Sequence, residues 1–296
     1  MDKENTIICW WSGGITSAVA CKICIGFYGI ENCRFIFIDT KNEDEDTYRF
    51  KRDCEQWYGK KIETITAIGD KYDSIQDVWT KNKSLNVAKG AICSSELKRK
   101  TRIKWQKEND YTHQVFGFEL SEANRAKSMV LNNPETQPIF PLLMFGYSKK
   151  DCIELVEGWQ IEIPRMYKLG FLNNNCFKTG CVQGGIGYWQ KMARDFPDKF
   201  DKMAKVEHNL TDIKGKPVTM LRDQSIKAVE SGSDLVFLKP HPEYPNIKDI
   251  SQLKGREPKP LYECNGFCGI NDLEKRNPTE SEINMDDDEQ LNLFNS

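Results

Sequence analysis

The chain of 296 residues has the length of one large domain or two modest ones, and 42 Lys+Arg against 44 Asp+Glu leave a net charge of −2. That balance excludes bulk charge as a reason to bind a polyanion, so any nucleic-acid contact requires a local basic patch. The polar start at 1–5 and the absence of an apolar run of membrane-spanning length predict a soluble, cytoplasmic protein with no signal peptide.

In chain order, strand-like runs fall at 6–11, 34–38, 62–67 and 114–118, separated by segments of helical period at 15–28, 44–58 and 94–108. Strands alternating with helices predict an α/β fold, a parallel sheet with helices on both faces. Ligands of such sheets bind beyond the carboxyl ends of the strands, where Ser12–Ser17, Asp39–Thr40 and Gly117–Glu119 fall. The pattern changes after about 140. A Pro-bounded stretch leads to a helix with Ser148 as its N-cap, then to a loop dense in Gly, Asn and Cys, then to helical residues bent near Pro197. Residues 211–260 are polar and Pro-punctuated, and the apolar stretches around 218–224 and at 234–238 have no settled place. From about 272 the chain is acidic and polar, and disorder is expected. The predicted organisation is a nucleotide-binding domain over 1–165, a Cys-rich, mainly helical, metal-binding module over 166–272, and a disordered acidic tail over 273–296.

Eleven cysteines in a protein expected to be cytosolic point away from disulfides. Cys9, Cys21, Cys24, Cys33, Cys54 and Cys152 stand among apolar residues at scattered spacings and read as small buried hydrophobes. Cys176 and Cys181 form C-x4-C in the Gly/Asn loop, and Cys264 and Cys268 form C-x3-C in "YECNGFCG". Two such pairs can converge as four thiolates on Zn²⁺ or a 4Fe–4S cluster, which ligand count does not separate, or can be four unrelated thiols. The three histidines are isolated. Trp10, Trp11 and the Tyr188-Trp189 pair read as core aromatics.

The most informative stretch is "IICWWSGGITSAVA" at 7–20: an apolar strand, Ser12-Gly13-Gly14, then a helix of small residues. Two glycines let successive N–H groups turn toward an anion, the helix adds its positive N-terminus, and Ser12, Thr16 and Ser17 add hydroxyl donors. No Lys follows in Walker A register and no G-x-G-x-x-G occurs, so a P-loop NTPase and a dinucleotide fingerprint are both excluded. An ordinary tight strand-to-helix turn is the alternative.

Ser-Gly-Gly-x-x-Ser after a first strand resembles the PP-loop of the adenine nucleotide α-hydrolase-like superfamily, whose fold is Rossmann-like. "FIDTKNEDEDTYRF", "CSSELKRK", "FGFELSEANR" and the Cys loop with its following helices resemble, in order, segments of the phosphoadenosine phosphosulfate (PAPS) reductase-like family, in its bacterial and phage branch. The resemblance implies that Ser12, Gly13, Gly14, Thr16 and Ser17 hold nucleotide phosphates or sulfate, with Asp39 and Thr40 beside the adenosine. Lys98 and Arg99 would neutralise phosphates, and Glu122 and Arg125 would close the site. Ser12, Ser17, Asp39 and Cys93 are the candidate catalytic residues, Cys93 as a redox thiol or a further cluster-linked one. Set against these roles, Lys98–Arg102 is a charge run that solvent commonly claims, and Glu122/Arg125 at i, i+3 suit a surface pair.

Two reactions fit the resemblance. One is ATP pyrophosphatase chemistry, with Mg²⁺, that adenylates an acceptor for sulfur transfer from a donor protein. The other is reduction of an adenylyl sulfate (PAPS or APS). The reductase's Glu-Cys-Gly-(Leu/Ile)-His tail is replaced here by Glu263-Cys264-Asn265 and Cys268-Gly269-Ile270-Asn271, which favours the first. Gln290-Leu291-Asn292-Leu293-Phe294 resembles the peptide that docks proteins onto the replicative sliding clamp, which implies action at DNA, such as DNA sulfur modification. A non-catalytic nucleotide-binding protein that recruits a partner to the clamp is the reading from another class.

Overall fold

The computed structural model describes residues 6–87 and 90–259. Its first half alternates strand and helix: β1 (Ile7–Trp10), α1 (Ile15–Tyr28), β2 (Cys33–Ile38), α2 (Glu45–Tyr58), β3 (Ile62–Ile65), α3 (Ile75–Asn82) and the short hairpin of β4 (Asn86–Val87) and β5 (Gly90–Ala91). A π-helical turn over Ser94–Arg99 runs straight into α4 (Lys100–Glu108), so the helix expected over 94–108 begins with a wider winding. There follow β6 (His113–Val115), α5 (Ala123–Asn132), β7 (Pro138–Ile139), α6 (Pro141–Met144) and α7 (Lys149–Gly158).

The main sheet has five strands in the order β3-β2-β1-β6-β7, every neighbouring pair parallel. Alternate residues of β1 face opposite ways. Ile7 and Cys9 pack with Trp11, Phe35 and Phe37 against α1, α2 and α7, whereas Ile8 and Trp10 pack with Ile36, Trp105, Ala126 and Met129 on the side of α4 and α5. Both faces are therefore covered, as the strand–helix alternation requires. Trp11, Phe35 and Phe37 are each essentially inaccessible, and each such ring contributes about 1.5–3 kcal/mol of burial.

Chain order runs outward from β1 through β2 to β3, then returns to the other side for β6 and β7. The reversal opens the crevice between the ends of β1 and β6, the place where a doubly wound sheet takes its ligand. Local chemistry sets the elements around it. Asp44 caps α2 by accepting from Asp46 N at 2.8 Å, and Gly59 ends that helix in the left-handed region with φ 75°. Ser148 caps α7 in a reciprocal box with Asp151, as expected.

The second half contains α8 (Arg165–Lys168), α9 (Ile186–Asp195), α10 (Pro197–Lys214), β8 (Leu221–Arg222), α11 (Ile226–Glu230), β9 (Leu235–Phe237) and β10 (Lys248–Asp249). The break between α9 and α10 falls at Phe196, where Pro197 bars the preceding residue from helical geometry. The two stretches without a settled place become β8 and β9, which with β10 form a small three-stranded sheet against α10. One apolar core holds residues of this half together with Ile75, Val78, Trp79 and Leu97 from the first half. Among the described residues no helix is long and apolar enough to cross a membrane.

Candidate active site at the switch point of the sheet

The loop after β1 is built from its own side chains. Ser17 Oγ accepts from Ser12 N at 3.0 Å and from Ser12 Oγ at 2.9 Å, and donates to Gly14 O at 2.9 Å. Gly13 takes φ 93°, and a Cβ there would stand 2.9 Å from Thr47 Cγ2. Across the crevice Gly117, just past β6, lies so close that a Cβ would come within 2.5 Å of Ser17 Cα and N. Gly117 is thus the side wall of the loop, which lets β6 approach the first turn of α1. The arrangement points the N-terminus of α1, with its partial positive charge, into the crevice.

Beyond β2, Asp39 is buried and fully engaged. It accepts from Lys41 N at 2.7 Å, from Tyr48 OH at 3.0 and 3.2 Å, and pairs with Lys41 Nζ at 2.9 Å. Burial first, and the Asp39 charge second, push the Tyr48 phenol well up, so it stays a donor. Thr40 Oγ1 donates to the buried Glu43 at 2.9 Å and stands 3.8 Å from Cys176 Sγ. Glu43 in turn faces Lys98 Nζ at 3.7 Å. Lys98 is buried at 7% exposure and Arg102 at 3%, so the run expected to be solvated is buried at both ends and only Lys100 within it is exposed. Arg99 is half-buried and does not line the cavity described below.

Residues 164–181 form a strap that ties these loops together. Arg165 bonds Asp44 at 2.9 Å and Tyr167 OH accepts from Ile15 N at 3.2 Å. Asn174 Nδ2 donates to Gly13 O at 2.8 Å and to Thr47 Oγ1 at 3.0 Å. Asn42 O receives both Phe177 N, at 3.0 Å, and Lys178 N, at 3.2 Å, while Asn42 Nδ2 donates to Thr179 Oγ1 at 2.8 Å. The strap therefore lies on the ends of β1 and β2 by polar contacts made to backbone and side chain alike.

Its cysteines reach a small cavity of about 30 Å³ lined by Cys93, Cys176, Cys181, Thr40, Lys98 and Trp79. Cys176 and Cys181 from the strap thus share a wall with Cys93 from the edge of the π-helical turn, a meeting that sequence spacing could not show. The surroundings push the Cys176 thiol well up through dehydration and then the Glu43 charge, with the Lys98 ammonium opposing. Three soft donors around one cavity suit a thiolate-held metal in chemical type. Among the described residues, however, no group of three or more His, Cys, Asp and Glu is placed to hold a metal ion. Cys264 and Cys268, the other pair expected to serve such a centre, lie outside the described residues, as does Gln290–Phe294.

Glu122 and Arg125 do pair, but buried rather than on the surface: each is 8% exposed, and the guanidinium also lies 4.5 Å from the centre of the Phe118 ring. They stand past β6, beyond Gly117, in the hydrogen-bonded turn where Glu122 accepts from Glu119 N at 3.3 Å. Glu43 and Thr47 lie within "FIDTKNEDEDTYRF", and Tyr167 and Asn174 within the stretch that leads into the Cys loop, but none of the four is singled out by the sequence as a site residue.

These features define a parallel α/β protein whose Gly-rich loop and thiol-lined cavity flank the switch point of the sheet. No family model matches the chain. It is 26% identical over 220 residues to an uncharacterized protein of Methanocaldococcus jannaschii, which covers 70% of this chain and 44% of the archaeal one, so the chain spans less than half of that relative. Among solved structures it is similar to a phosphoadenylyl-sulfate (PAPS) reductase from Candida auris in complex with phosphate, at 15% identity and TM-score 0.44, covering 59% of this chain and 83% of that one. It is also similar to the U34-tRNA thiolase NcsA of Methanococcus maripaludis with its 4Fe–4S cluster, at 14% identity and TM-score 0.34, covering 71% and 74%.

Proposed function

We propose that the chain is a PP-loop enzyme of sulfur chemistry that binds an adenine nucleotide at the switch point and works with the thiols beside it. The observation that carries this reading is the strap. Asn174 grips the Gly13 carbonyl, and Cys176, two residues on, contacts Thr40 and lines the thiol cavity. One short segment thus joins an anion-binding loop to cysteines, a pairing that activation and sulfur transfer both need.

In this reading the N–H groups at the start of α1 and the hydroxyls of Ser12, Thr16 and Ser17 hold the phosphates, with Mg²⁺ accompanying ATP. Asp39 and Thr40 shape the adenosine side, and Lys98 answers charge on the phosphates or on a thiolate. An acceptor oxygen attacks the α-phosphorus and pyrophosphate leaves; a sulfur nucleophile then displaces AMP. Cys176 and Cys181, with the pair Cys264/Cys268, would hold the metal centre, Zn²⁺ or iron–sulfur. Such a centre, when bound, supplies a soft position for sulfur.

The test is ATP–pyrophosphate exchange by the purified full chain with candidate acceptors, compared with its turnover of adenylyl sulfate in the presence of a thiol reductant. Exchange supports the adenylation reading. Thiol-dependent release of sulfite from the adenylyl sulfate instead selects the reductase reading. Nucleotide binding with neither reaction leaves the non-catalytic binder and removes the enzyme. The finer assignment, sulfur modification of DNA with docking on the sliding clamp, rests on the tail sequence. Deleting Gln290–Phe294 abolishes clamp capture if that assignment is right; undiminished capture removes it.

A further inference from the structure

We propose that Lys41 is a positioning residue of the nucleotide site: its ammonium cancels the charge of Asp39, so that a polyanionic ligand can settle beside that carboxylate. The inference rests on the nucleotide reading above and adds one residue to it. The backbone of Lys41 takes φ 59°, in the left-handed region that residues other than glycine rarely adopt. The other described non-glycine residues with positive φ, Lys83, Gln137 and Gln160, each follow a helix or 3₁₀ turn, where that geometry is an ordinary stop. Lys41 ends no helix. It stands just past β2, beside the switch point, and both its ends are tied to one carboxylate. Its N–H donates to Asp39 Oδ1 at 2.7 Å and its Nζ pairs with Oδ2 at 2.9 Å. Strain kept at the rim of a crevice and held by a single side chain points to a use there.

The charges around the rim show what that use is. The segment 39–46 carries Asp39, Glu43, Asp44, Glu45 and Asp46, and it begins one strand over from the Ser12–Ser17 loop. Glu43, Asp44, Glu45 and Asp46 meet Lys98, Arg165, Lys178 and Arg49 at 3.7, 2.9, 2.9 and 2.6 Å. Among the described residues Asp39 has Lys41 as its cation, and its other side-chain partners are the Lys41 N–H and the neutral Tyr48 phenol. The Asp39 side chain is 1% exposed, so water screens it little, whereas that of Lys41 is 52% exposed. Without the ammonium, a buried negative charge is left at the edge of the crevice, where it repels phosphates across several ångströms. The left-handed turn brings N–H and ammonium onto the same carboxylate, which accounts for the strain.

Three variants of the full chain, Lys41→Met, Lys41→Arg and Lys41→Gly, separate charge from backbone, with ATP binding followed by calorimetry at low and high salt. At low salt Lys41→Met is expected to bind ATP about tenfold more weakly than the wild type, and Lys41→Arg within about twofold of it. In 1 M NaCl, where the screening length is about 3 Å, the deficit of Lys41→Met is expected to shrink to about twofold. Lys41→Gly removes the same charge but adopts the left-handed turn without strain, so it should lose as much affinity as Lys41→Met. ATP binding by Lys41→Gly at wild-type strength would assign Lys41 to the turn alone and overturn the proposal. So would wild-type affinity in Lys41→Met, or a deficit that high salt leaves unchanged. Failure of the wild type itself to bind ATP overturns the nucleotide reading instead, so the two failures are distinguishable.

Discussion

Two populations of cysteine share this molecule, and their surroundings set them apart. Cys9, Cys21, Cys24, Cys33, Cys54 and Cys152 lie inside the core beneath α1, at 0–1% exposure, among Ile, Val, Phe and Trp side chains. Cys9 touches Cys21, Cys24 and Cys33, and burial pushes the thiols of Cys9 and Cys21 up as it does that of Cys176, so thiol acidity does not separate the two populations. Cys93, Cys176 and Cys181 instead line a cavity with a hydroxyl, an ammonium and the loop of β2 around them. The same side chain packs as a small hydrophobe in one place and lines a polar-edged cavity in the other. What distinguishes the two is a polar neighbour and a cavity.

On the metal-centre reading proposed above, the largest effect expected from this contrast is on metal content. Cys176→Ser and Cys181→Ser, reconstituted anaerobically with iron or zinc, should each weaken metal retention by roughly tenfold or more, whereas Cys24→Ser should retain metal as the wild type does. Iron and zinc analysis of desalted protein reads the result. Equal retention by all three variants would remove the distinction. Next in size is the loop. Gly117→Ala puts a methyl group 2.5 Å from Ser17 Cα, which forces the first turn of α1 away from β6. ATP affinity should fall by about tenfold, equivalent to about 1.4 kcal/mol, with Gly26→Ala, which meets nothing within 4 Å, as the unaffected control.

The sheet was largely legible, because period-2 and period-3.6 patterns alternate cleanly from Ile7 to Glu108 and Gly and Pro punctuate them. The π-helical start of α4 was not, since its residues have ordinary helical character and only the packing of Leu97 and Lys98 inward shows the wider turn. The Ser12–Ser17 loop could be read from its residue types alone. The strap could not. Tyr167 and Asn174 act through one or two hydrogen bonds to backbone more than 150 positions away, and no local pattern encodes such a contact. Cys93 stood out only by a resemblance, and its meeting with Cys176 and Cys181 is a product of tertiary packing.

A stability comparison sharpens the contrast from the other side. Cys9→Ser places a hydroxyl where apolar groups and thiols surround it, and should cost about 1–3 kcal/mol in urea denaturation. Cys93→Ser, at a half-buried site beside the cavity, should stay within about 0.5 kcal/mol of the wild type. A reversal of that order would mean that Cys93, rather than the buried group, serves packing.

The smallest effect concerns a polar group that the core does accept. Glu207 of α10 is fully buried in the same core that holds Cys181, and accepts from Met220 N at 2.9 Å and Leu238 N at 2.7 Å, fastening the ends of β8 and β9 to the helix. Burial pushes its carboxyl up to about 8 from an ordinary value near 4.5, against the pull of those two N–H groups. The folded protein thus keeps a proton that the unfolded chain releases. The stabilising contribution is complete below about pH 4.5, falls as pH rises through the window to about 8, and is flat above it. Glu207→Gln cannot ionise but keeps only one of the two oxygens that accept from Met220 N and Leu238 N, so one buried N–H loses its acceptor. Its melting temperature should lie below the wild type near pH 5, and the deficit should shrink toward pH 8 as the wild type loses the contribution of the protonated carboxyl. Parallel melting curves across that range would mean that Glu207 is charged in the fold and that the two N–H groups outweigh burial.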